Sequence, residues 1–122
     1  MLLSTSTTVL AAEDVPVQPA YVGISSVAPL IRLKSNNTVI CSGSVTCKAG
    51  YTARVIWNLQ YQNNRTWVSV KSWNNSGNHV LLNQAVAVIS GRTYRLQVVA
   101  TVYNSAGKQV ETVTASSEAI RA

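Results

Sequence analysis

Acidic side chains are scarce in this chain, four Asp and Glu against ten Lys and Arg. Glu13 and Asp14 fall near the amino terminus, which leaves Glu111 and Glu118 for everything downstream. Those two lie on one extended segment, more than about 20 Å apart, whereas the carboxyl pair of a glycosidase must face across a substrate at about 5 to 9.5 Å. There is one histidine, His79, with no evident nucleophile to serve, so the material for a hydrolytic triad is missing too. The chain therefore reads as a non-enzyme. Cys41 and Cys47 are the only cysteines and lie far in sequence from that histidine, a poor basis for a metal site, and no cofactor is expected. Charged residues make up 11% of the chain, too few for a disordered polar tail or a coiled coil. No apolar run approaches the ~20 residues of a membrane-spanning helix. The basic residues are scattered from Arg32 to Arg121 with no run that would follow a phosphate backbone, so nucleic acid is not an expected partner.

Val and Thr recur throughout, and the polar residues are mainly Ser, Thr, Asn and Gln, a composition that favours strands over helices. A chain of 122 residues supports one domain with a single core. Its formal charge of +6 draws it toward anionic partners such as lipid headgroups or wall polymers.

Residues 1–12 read MLLSTSTTVLAA, in which Val9 and Ala11 satisfy the small-residue rule for signal cleavage after Ala11. The segment has no basic front and only a short apolar stretch, so it is expected to be the remnant of a secretory signal whose start lies upstream of Met1. Residues 13–26, with Pro16 and Pro19, read as a linker, and 27–122 as the domain. The expected location is outside the cell, free or on its surface.

Within the domain, apolar and polar residues alternate with the period of a strand. Val27 to Lys34 forms a first strand that tolerates Pro29 at a sheet edge. From Thr38 to Cys47, Val39, Cys41, Gly43, Val45 and Cys47 share one face. Ala53, Val55, Trp57, Leu59 and Tyr61 line the next strand, and Thr66 to Trp73 returns after a hairpin at Asn63-Asn64-Arg65. The run Asn74 to Asn78 reads as a turn, and His79 to Ile89 as a strand bent near Gln84. Tyr94, Leu96, Val98, Ala100 and Val102 face inward on a further strand, and a last strand runs from Lys108 to Ser117 with either Val110 or Val113 inward. About seven short strands with turns between them indicate an all-β sandwich of two antiparallel sheets.

Two segments carry a resemblance. GRTYRLQVVATVYNSAGK, Gly91 to Lys108, resembles the penultimate strand and last hairpin of fibronectin-III and immunoglobulin domains, which makes Tyr94 the corner tyrosine that bonds to the backbone. VTCKAGYTARVIWNLQ, Val45 to Gln60, is similar to the immunoglobulin strands that carry the core Cys and Trp, with Cys47 and Trp57 in those places. Val98 and Ala100 stand where the partner Cys is sought, so the inter-sheet disulfide of true immunoglobulin domains is absent. The layout resembles small secreted sandwich proteins of Gram-positive bacteria, a resemblance that implies a fold and no activity.

On one continuous strand Cys41 and Cys47 sit about 20 Å apart, beyond the ~7 Å that a disulfide spans between Cα atoms. Either a bulge at Gly43 brings them together or both are buried thiols, and the unbroken alternation favours the thiols. Trp67 and Trp73 fall on one side of their strand with Ser69 and Lys71, opposite Val68 and Val70. If the valines face the core, Trp67, Lys71, Trp73 and the nearby Asn75 form an exposed patch for a glycan or protein ligand; otherwise the tryptophans cap the sheet edge or fill the core. The expected function is a non-catalytic binding module acting on a cell-envelope glycan or a protein. A secreted cationic antimicrobial or toxin-like effector and a structural subunit of a surface assembly stand as alternatives.

Overall fold

The computed structural model describes residues 21–122. The expected signal remnant, and the linker as far as residue 20, lie outside the described residues.

Eight strands follow one another: β1 (Ile24–Ser35), β2 (Thr38–Cys47), β3 (Thr52–Asn63), β4 (Thr66–Gly77), β5 (His79–Ala87), β6 (Thr93–Tyr103), β7 (Gln109–Ser116) and the two-residue β8 (Ile120–Arg121). They build two antiparallel sheets, one in the order β1-β2-β5 and the other β4-β3-β6-β7, with β8 beside the start of β6. The fold is an all-β sandwich of two antiparallel sheets, a strand order compatible with the immunoglobulin-like and fibronectin-III-like layout.

Alternation in the sequence decides which side of each strand meets the other sheet. Val39, Cys41, Val45 and Cys47 of β2 are buried against Val55, Trp57 and Leu59 of β3 and against Leu96, Val98, Ala100 and Val102 of β6. Trp57 is the largest of these side chains and is wholly buried. Its ring lies so close to the backbone of β2 that a Cβ on Gly43 would stand 2.9 Å from Trp57 Cζ3 and 2.5 Å from the carbonyl oxygen of Ala28. Gly43 thus admits the indole, which answers why a strand interior carries the residue least suited to it.

Four sequence expectations are corrected by pairing between distant segments. The run from Asn74 to Gly77 is strand, since Asn74, Asn75, Ser76 and Gly77 pair with Ile56, Val55, Arg54 and Ala53; Asn78 alone connects β4 to β5. β5 is unbent at Gln84, because β2 supplies a partner in uninterrupted register from Thr46↔His79 to Thr38↔Ala87. β1 begins at Ile24, upstream of Val27. Val110 and Val113 both turn inward: a register shift between Val102 and Tyr103 makes Val110 an extra residue that packs on the core, and Val113 is buried two positions beyond Glu111.

Candidate functional site

The decisive local feature is a second bulge, in β4. Leu59 of β3 pairs with Lys71 and Gln60 with Ser69, so Val70 has no partner of its own. One extra residue reverses the side to which everything beyond it points. Trp73 pairs with Trp57 and therefore shares its inward side, half-buried against the core. Trp67 pairs with Gln62 and points to the outer surface of the five-stranded sheet. The sequence expectation that Trp67, Lys71 and Trp73 share a face is corrected: Lys71 and Trp73 stay together, with Lys71 Nζ 5.9 Å from the Trp73 ring, and Trp67 lies on the opposite side.

Asn75 also has a different part from the one its neighbourhood suggested. Its Oδ1 accepts the Trp57 indole N–H at 2.9 Å, and its Nδ2 donates to the Leu81 carbonyl of the other sheet at 2.9 Å. Both ends of the half-buried amide are engaged within the protein, one fixing the core indole and the other tying β4 to β5 at the sandwich margin. Asn78 is exposed, yet its amide is committed to the fold, its Nδ2 directed at the carbonyl oxygens of Lys48 (3.1 Å) and Tyr51 (2.9 Å).

Around Trp67 a different set of residues assembles. Arg95 of β6 pairs with Gln60 and lays its guanidinium over the Trp67 ring, 4.2 Å from the centroid, a cation on the negative face of an aromatic. Arg95 Nε donates to Gln60 Oε1 at 2.8 Å, and Gln60 Nε2 reaches Ser69 Oγ and Gln97 Oε1, each at 3.3 Å. Asn58 Nδ2 donates to the same Gln97 oxygen at 3.2 Å, and Ser72 donates to Asn58 Oδ1 at 2.6 Å. Gln60 stands at an outward position yet is only 7% exposed, because this network closes over it. The result is a continuous row of amides and hydroxyls across β4, β3 and β6, held in place by its own hydrogen bonds.

Further along the same surface Ile56, 44% exposed, pairs with Val99 and Asn74. Next comes Arg54, beside Thr101 and Ser76, with its guanidinium 5.1 Å from the centre of the Tyr103 ring. Two shallow depressions meet at Arg54. One of about 440 Å³ runs over Ile56, Asn74 and Ser76; the other, of about 530 Å³, runs toward Thr52, Tyr103 and Ser105 at the end of the sandwich.

Comparison with known proteins finds no matching family model, curated protein or solved structure.

The remaining singled-out residues lie elsewhere. Tyr94 is buried on the inward side of β6, and its hydroxyl oxygen accepts the backbone N–H of Ile89 at 2.9 Å. Cys41 and Cys47 are free thiols, both buried on the inward face of a β2 that runs unbroken through Gly43. Burial pushes the Cys41 thiol up to about 11; Cys47 is raised by burial and then by the negative charge of Glu111. Glu111 grips the incoming chain, accepting the N–H of Val22 at 3.0 Å and of Gly23 at 2.7 Å. His79 Nδ1 is 2.8 Å from Thr46 Oγ1, on the outer side of the three-stranded sheet. Among the described residues no three His, Cys, Asp or Glu gather as metal ligands would.

Arg54, Asn58, Gln60, Arg95 and Gln97 were not singled out from the sequence. The signal was present in the polar residues at alternate, outward positions of β3 and β6. What the sequence could not show was that these two strands are neighbours, which brings the alternations side by side.

Proposed function

We propose that the domain is an exported, non-catalytic binding module whose ligand is a glycan, and that it binds on the outer surface of the five-stranded sheet. The observation that carries this reading is the row from Trp67 and Arg95 through Gln60, Gln97 and Asn58 to Ser72. Amides and hydroxyls that are already ordered can exchange hydrogen bonds with sugar hydroxyls at little further entropic cost. Trp67 and the exposed Ile56 offer apolar surface for the C–H faces of sugar rings. The arrangement lies on three adjacent strands, so its parts are held at fixed separations by the sheet.

A glycan screen with the wild type, Trp67→Ala and Trp73→Ala distinguishes this surface from the inward side of β4. Trp67→Ala is expected to abolish binding and Trp73→Ala to preserve it in the folded protein. Loss of binding confined to Trp73→Ala, or binding untouched by Trp67→Ala, would refute the assignment.

A further inference from the structure

Resting on that reading, we infer that the glycan is acidic: a linear polymer whose carboxylate or phosphate groups engage Arg54 and Arg95 while the sugar between them lies along the amide row. The two arginines stand on one face of one sheet. Arg54 pairs with Thr101 of β6, and Arg95 lies six residues back along that strand, a separation of about 20 Å at strand rise. Each guanidinium rests on an aromatic ring, Arg95 on Trp67 and Arg54 on Tyr103. Such a ring orders the cation without neutralising it.

The described chain supplies little to balance these charges. Glu111 directs both carboxylate oxygens at the amides of Val22 and Gly23. Glu118 lines a groove with Val27, Pro29 and Ile31 of β1, away from the outer surface. A ligand that brings its own anions completes the arginines, since charge-assisted bonds to guanidinium are about twice as strong as neutral ones. The spacing argues for sparse charge. A nucleic acid strand carries a phosphate about every 3.4 Å of axis, and recognition of a single strand uses a succession of stacking aromatics along a continuous basic groove. Here two guanidiniums are separated by Ile56, Val99, Asn58 and Gln97, which suit uncharged sugar rings.

Binding is measured by titration calorimetry with a hyaluronan decasaccharide, whose carboxylates are separated by uncharged sugars, a polymer of oligosaccharide units joined by phosphodiesters, cellohexaose and a twenty-residue oligothymidylate, for the wild type, Arg54→Gln and Trp67→Ala. Arg54 is exposed and its replacement leaves the core intact. At least one of the two acidic polymers is expected to bind, the one that does so identifying carboxylate or phosphate as the anion. Affinity should fall about tenfold in Arg54→Gln and fall again as salt is raised. Binding of cellohexaose that Trp67→Ala abolishes and Arg54→Gln leaves unchanged would overturn the acidic ligand while keeping the proposed surface. Binding of neither acidic polymer, or preference for the oligothymidylate over both, would also overturn it.

Discussion

Replacing Asn75 with Ala tests whether that side chain serves the core or a ligand. Trp57 is wholly buried, and its indole N–H has Asn75 Oδ1 as acceptor at 2.9 Å. Removing the acceptor strands a donor where water does not reach, at about 1 to 3 kcal/mol. The bond from Asn75 to the Leu81 carbonyl is lost as well, but Leu81 lies on an exposed stretch of β5, so hydration recovers most of that. The net cost should be about 2 kcal/mol, a fall in midpoint temperature of roughly 8 to 10 °C for a domain of this size. Urea unfolding followed by tryptophan fluorescence measures it, with Asn74→Ala, an exposed neighbour on the opposite side of β4, expected to shift stability by less than ~0.5 kcal/mol. Asn75→Asp retains an acceptor for the indole and should recover part of the loss. In a Trp57→Phe background, where no N–H awaits an acceptor, the effect of Asn75→Ala should largely disappear. Equal stabilities for Asn75→Ala and Asn74→Ala, or an undiminished effect in the Trp57→Phe background, would refute the reasoning.

Gly43→Ala should destabilise the domain by about 1 to 3 kcal/mol, because the added methyl meets Trp57 Cζ3 at 2.9 Å and the Ala28 carbonyl oxygen at 2.5 Å; thermal unfolding within a degree of wild type would sink this. The Cys41 thiol, raised from 9.0 to about 11 in the folded chain, binds its proton more tightly folded than unfolded. Its contribution to stability is therefore complete below about pH 9 and is lost as pH rises toward 11. The alkaline fall in stability should be shallower in Cys41→Val, as chemical unfolding between pH 8 and 11 would report, and identical slopes for the two proteins would count against it.

How much of this was legible in the sequence depended on whether the relevant pairing was local. β2, β3 and β6 carry inward faces of Val, Leu, Ala, Cys and Trp interrupted by polar residues, and those faces are buried as the alternation indicates. β4 misled because its bulge leaves no local trace. Val70 continues the alternation of Val68, and only the offset between Gln60↔Ser69 and Leu59↔Lys71 exposes it as an insertion. Asn74, Asn75, Ser76 and Gly77 have the composition of a turn, yet the far end of β3 provides partners and tertiary pairing overrides local preference. Gln60 looked like an ordinary surface amide, and what buries it comes from residues 67, 69, 95 and 97 on two other strands.

Val70 has a consequence at the rim of the molecule. β4 is an outermost strand of its sheet, so one flank of its backbone offers unpaired N–H and C=O groups to any extended chain that meets it. The insertion puts the groups of residues 66–69 out of step with those of residues 71–77, and an incoming straight strand can match one set or the other but not both. Continuous intermolecular sheet growth is checked at this rim, and Lys71 adds a charge where the step occurs. An assembly that grew by strand pairing through the three-stranded sheet would have to use β5 or β1, and β1 presents Pro29, which has no N–H to give.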